Sequence, residues 1–161
     1  MSAPEITVFL PIGRDYEQLL YSIAKTLSLS IDTLPSDSSF AFAAQQLGAE
    51  YFLIEYDADA CAIVDEMQQW EKPSQEYKSL LRGCKSCIII HYRSIDLSKR
   101  CLFIISEYLG QLSSLSVVEN GYGCLLRLSD TVEHVSVDSS WSWERETFPD
   151  IPGVADSEWI D

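Results

Sequence analysis

The stretch Ile6–Leu27, ITVFLPIGRDYEQLLYSIAKTL, decides how the chain is read. Its opening, ITVFLPI, is apolar and barely alternates, which predicts a strand buried on both faces. Gly13 and Arg14 then turn the chain. Asp15 is a suitable N-cap, and Gln18 three residues later completes a capping-box pattern. Tyr16, Leu19, Leu20, Ile23, Ala24 and Leu27 recur at helical spacing, so a helix is expected from Asp15 to about Leu29.

The same plan returns later in the chain. CIIIHY (Cys87–Tyr92) predicts a second strand, and Asp96 is placed to cap a helix carrying Leu97, Cys101, Ile104, Ile105, Tyr108 and Leu112 on one stripe. A shift of 81 residues lays Asp15 on Asp96, and lays Tyr16, Leu20, Ile23, Ala24 and Leu27 on Leu97, Cys101, Ile104, Ile105 and Tyr108. The repetition is of pattern, not of identity. It predicts two related strand–helix units on one sheet, their helices on the same face.

Around these units the remaining elements follow. SVVENGYGCLLRL carries Asn120-Gly121 between apolar runs, the signature of a hairpin with a type I′ turn. Ser129 is expected to cap a short helix over DTVEHV. FAFAAQQLG reads as a short helix ended by Gly48, and YFLIEYD (Tyr51–Asp57) as a strand. CAIVDEM (61–67) reads as the hairpin partner of that strand across ADA, in preference to a helix. SQEYKSLLRG, after Pro73, reads as a helix. The sum is a single α/β domain spanning 1–161: a mixed sheet, helices over one face, two related strand–helix units and an irregular C-terminal strap over 138–161.

Composition limits the function classes. With 161 residues and 47% hydrophobic side chains, the chain can bury a proper core in one domain. Met1–Glu5 lacks the basic region of a leader, and no apolar run reaches the ~20 residues that span a bilayer. A soluble cytosolic protein is expected. Five cysteines at 61, 84, 87, 101 and 124 do not form a dense disulfide framework, so reduced thiols are expected.

CKSC (Cys84–Cys87) follows a predicted helix and enters a strand, the reverse of the thioredoxin-like context. With His91 and His134 the only histidines, a zinc ligand set is short. No metal and no cofactor are expected. The phosphate-binding, nucleophile-elbow and zinc-protease motifs are all missing. His91 within a strand, with Arg93 at its end, is the one place where a small enzyme's site could be drawn.

Net charge is −14, which argues against nucleic acid and against an anionic membrane surface as direct partners. The charge is also segregated. Thr26–Glu71 holds nine Asp or Glu and no Lys or Arg; Lys72–Arg100 holds seven basic residues against Glu76 and Asp96; Cys101 to the end holds eleven acids against Arg127 and Arg145. Such a field suits a cationic protein partner. The last stretch, SSWSWERETFPDIPGVADSEWID, adds three tryptophans. Trp141 and Trp143 are expected to strap across the sheet and complete the core, while Trp159 is a candidate docking side chain.

The region CIIIHYRSIDLSKRCLFIISEYLGQLSSLSVVENGYGCLLRLSD (87–130) resembles one half of the small acidic α/β immunity proteins that bacteria make against toxins of neighbouring cells. It does so in size, acidity and strand–helix–hairpin layout. The resemblance implies a non-enzymatic, cytosolic inhibitor that plugs the active cleft of a cognate basic toxin. The surface expected to bind comprises Glu55, Tyr56, Asp57, Asp59, Asp65, Glu66 and Trp159. The alternatives are a small enzyme using His91, Arg93 and nearby carboxylates, or a regulatory adaptor.

Overall fold

The structure, a computed structural model, describes residues 4–12, 16–35, 40–45, 52–71 and 73–144, with backbone alone at 30–35 and 40–45. The elements are β1 (Glu5–Pro11), α1 (Glu17–Thr26), β2 (Ser30–Pro35), β3 (Phe40–Gln45), β4 (Phe52–Asp57), α2 (Cys61–Met67), α3 (Gln75–Arg82), β5 (Cys84–Tyr92), α4 (Ile95–Leu109), a 3-10 helix (Gly110–Leu115), β6 (Val117–Glu119), β7 (Leu125–Arg127) and α5 (Leu128–Val137).

One seven-stranded sheet runs in the order β2-β3-β4-β5-β1-β6-β7. The α/β architecture is the expected one, but every described pair is antiparallel where a mixed sheet was predicted. The reason lies in the crossover β5–α4–β6. Its two strands are parallel to each other but not neighbours, because β1 fills the slot between them and runs opposite to both. This is a split crossover.

Register sorts the side chains by face. Val8 pairs with Ile88 and Val118, Ile6 with Ile90, and Ile90 with Ile54, so these residues share one side of the sheet. All are buried. Phe9, Cys87 and Val117 form a row on the other side and are also buried. A sheet buried on both faces needs cover on both. Two helical groups supply it: α1 packs on α4 and α4 on α5, while α2 packs on α3. Trp143, which follows α5, bonds Tyr92 on the first side; Arg127, on the second, bonds Glu76 of α3. Helices over a single face is therefore corrected to helices over both.

The 81-residue echo does correspond to structure. β1 and β5 are neighbours, α1 packs on α4, and Leu20, Ile23, Cys101 and Ile105 are all buried. The helix ends depart from expectation. α4 is capped by Ser94, whose hydroxyl accepts from the Leu97 N–H at 3.3 Å, and Asp96 lies in the first turn instead. Asp15 and Gly48 lie outside the described residues. α1 closes with Ser28 at φ 55, the Leu29 N–H reaching the Ala24 carbonyl at 2.8 Å and the Ser28 N–H reaching that of Lys25. This is a Schellman ending built without glycine, which hides it from a sequence reading.

Three other segments differ. Phe40–Gln45 is a strand, because FAFA alternates with period two and lies between β2 and β4. Cys61–Met67 is a helix, because Val64 and Met67, three apart, are its buried positions, and the Ala60 N–H anchors its start on the Lys85 carbonyl. α5 begins at Leu128, with Ser129 inside it and no side-chain cap.

The hairpin is present, but its turn is longer than a two-residue type I′. Positive φ falls on Gly121 and Gly123, both at 86°, and not on Asn120. Asn120 instead works through its side chain: Oδ1 accepts from Tyr122 and Cys124 N–H, and Nδ2 donates to the Trp143 carbonyl at 2.8 Å. That last bond ties the strap to the hairpin. Trp141 and Trp143 are buried, as the strap reading expects. Trp143 Nε1 donates to the Tyr92 hydroxyl at 3.0 Å, Trp141 stacks on His134, and Lys99 Nζ holds the Ser139 carbonyl at 2.7 Å.

Candidate functional site

The second side of the sheet is closed only in part. Its covered row is Cys87, Phe9 and Val117. The next row toward the start of β1 is Glu55, Ile89, Thr7 and Glu119, and the row beyond is Leu53, His91 and Glu5. Every residue of these two rows is half-buried except Glu5, which is exposed. They form an open patch on β4, β5, β1 and β6, with carboxylates at its margins and Leu53 and Ile89 inside it.

His91 sits between two of the carboxylates. Its Nδ1 lies 3.2 Å from Glu5 Oε2 and its Nε2 lies 3.5 Å from Glu55 Oε2. Nε2 is closed to solvent and forms no hydrogen bond. The imidazole thus spaces Glu5 from Glu55 across three strands. Glu119 completes the acidic margin. Its two oxygens accept from the Gly121 and Gly123 N–H groups at 2.8 and 2.9 Å. Burial, more than the nearby Glu5, raises its pKa. Gly121 permits this arrangement: a Cβ there would lie 2.6 Å from the Glu5 carbonyl oxygen, so only glycine lets the loop rest on β1.

The residues expected to bind a partner fall into two groups. Glu55 and Asp57 project from β4 on the open side, and Asp59 follows in the loop. Asp65 and Glu66 are exposed on α2. Asp59 is committed locally: its carboxylate accepts from the Cys61 N–H, which lowers its pKa, and Lys85 adds to the effect. Tyr56 does not join them. It lies on the first side of the sheet with Ile88, half-buried against the core as Ile89 is on the second side. Trp159 lies outside the described residues. Glu5 and Glu119 escaped the sequence reading, because only strand register brings them beside His91.

The chemistry available for catalysis is sparse. Burial pushes the Cys84 and Cys87 thiols up to about 12 and raises that of Cys101 as well. Cys61 is exposed, and its hydrogen bond to Asp59 raises its pKa. CKSC therefore lies inside β5 with both sulfurs buried and both thiols protonated near neutrality. Among the described residues no cluster of His, Cys, Asp or Glu is arranged to hold a metal ion. A cavity of about 450 Å³ is lined by Pro11, Ile12, Ser79, Leu80, Leu115 and Glu76. It lies at the far end of β1 from Glu5 and His91, and its one carboxylate is paired with Arg127. Arg93 is exposed beyond the end of β5, away from that cavity.

Among the described residues no helix is long and apolar enough to cross a membrane. Comparison with protein-family models, with curated proteins and with solved structures returned no match to this chain.

Proposed function

We propose that this protein works by binding: it docks a basic protein partner through acidic surface, as an immunity protein does when it neutralises a cationic toxin. The observation that supports this most is the placement of acid. Glu55 and Asp57 on β4, Asp59 in the loop and Asp65 and Glu66 on α2 come from a stretch without Lys or Arg, and each is at least partly exposed. Charge of this kind speeds encounter and selects partners, with association rates reaching ~10⁸–10⁹ M⁻¹s⁻¹ at low salt. The alternative of a small enzyme has less behind it, because Arg93 is exposed and the cavity beside Pro11 and Leu80 lies at the other end of β1 from His91.

The test is isolation of the partner from the native host, followed by association kinetics at two ionic strengths. The partner is expected to be basic. Association should slow as salt rises, since screening shortens the field to about 10 Å at 0.1 M. It should also slow by about tenfold or more when Asp57, Asp59, Asp65 and Glu66 are neutralised together. An acidic partner, or rates indifferent to both changes, would reject the electrostatic mechanism. Turnover of a small molecule that disappears in Arg93→Ala would replace it with the enzyme reading.

A further inference from the structure

We infer that the centre of the docking surface is the open patch of the sheet, Leu53, Glu55, Ile89, His91 and Glu5, and that its occupant is a segment carrying two cationic side chains around an apolar one. This rests on the acidic-docking reading above and goes further by naming the site and the chemistry that fills it.

Three features of the patch specify that occupant. First, Glu5 and Glu55 flank one imidazole, with Glu5 Oε2 at 3.2 Å from its Nδ1 and Glu55 Oε2 at 3.5 Å from its Nε2. A guanidinium fits a carboxylate with two parallel bonds, so either acid can take one from outside. Second, the ground between the acids is apolar. Ile89 lies between Glu55 and Thr7 in one row, and Leu53 beside His91 in the next. Half-buried aliphatic surface of this kind completes its burial under an apolar side chain. Third, the patch lies on neighbouring strands of one sheet, so the spacing of its side chains is set by strand pairing.

Charge also excludes the other occupants. A second copy would bring net charge −14 and the same acidic patch against this one. The chain's own residues 145–161 carry five carboxylates and one arginine, and are repelled likewise. A basic partner alone is complementary.

The probe is a synthetic octapeptide alternating arginine and valine, blocked at both ends, titrated into the full chain at low salt. In the wild-type protein it should shift the amide signals of Leu53, Ile89 and His91 and the methyl signals of the first two. The double variant Glu5→Gln/Glu55→Gln should weaken binding about tenfold, the sum of two charge-assisted contacts. The double variant Asp65→Asn/Glu66→Gln removes the same charge from α2 and should weaken it by less than about threefold. Equal loss in both doubles, with shifts spread over the acidic surface, overturns the patch, because net charge alone would then account for binding. Shifts and loss confined to α2 also overturn it, but leave the broader reading intact. Failure of any form to bind removes both. The wild-type shift map decides the matter even if a variant folds poorly.

Discussion

β4, β5 and β1 present two contrasting surfaces. On one side Ile54, Ile90, Ile6, Ile88, Val8 and Tyr92 are sealed beneath α1, α4 and the strap. On the other, one residue along each strand, Glu55, Ile89, His91 and Glu5 remain reachable. The strands are the same and so is the backbone pairing. What differs is the polarity of alternate side chains and how far they are covered: on the second side Cys87 and Phe9 are buried, while the next row is only half-buried. The first side is thus the more completely buried, and the second is buried mainly at the row of Phe9, Cys87 and Val117.

The contrast can be broken most severely at the strap. Trp143 is 1% exposed, donates to Tyr92, and its carbonyl accepts from Asn120. Trp143→Ala should cost about 3–5 kcal/mol, read from urea unfolding. A loss below about 1 kcal/mol would mean that the strap is decoration and that α1 and α4 alone close that side.

Neighbouring isoleucines in β5 provide a sharper comparison. Ile90→Ala, on the sealed side, should cost about 2–5 kcal/mol. Ile89→Ala, on the open side, should cost about 1 kcal/mol or less, since only part of its surface is removed from water. Equal losses would show that the patch is covered in solution.

The smallest expected effect is on pH dependence. Burial raises the pKa of Glu119 at the margin of the open patch, and burial is likewise the main cause for Asp130 in α5. A carboxyl whose pKa is raised by folding favours the folded state below its unfolded value, and that contribution is lost as pH rises through the folded one. The urea midpoint should therefore rise as pH falls from neutrality toward their ordinary values of 4.5 and 3.8. Asp59 and Asp138, both lowered by hydrogen bonds to neighbouring backbone and side-chain groups, act in the opposite direction below their ordinary 3.8. Asp130→Asn should flatten the rise, and a midpoint that only falls on acidification would contradict the assignment.

Some of this was legible before any coordinates. The paired strand–helix units, the helix after Pro73, the hairpin near Asn120 and the burial of Trp141 and Trp143 all follow from apolar spacing and local turn chemistry. The departures share a cause as well. FAFAAQQLG and CAIVDEM are short, and short apolar runs do not distinguish helix from strand until neighbours supply hydrogen bonds. Ser94 takes the cap from Asp96 because the end of β5 fixes where α4 starts. In sequence Tyr56 lies among acids, which suggests surface; its parity in β4 puts it on the opposite side of the sheet from Glu55, half-buried.

The sequence by itself determined the periodicities, the segregation of charge and the lack of a catalytic motif, because these reside in the order of side chains along the chain. Only the tertiary structure decided that β1 would lie between β5 and β6. That one placement kept the parallel strands β5 and β6 apart and set Glu5 opposite His91. Register between strands distant in sequence is fixed by the packing of both faces at once, and no local pattern encodes it.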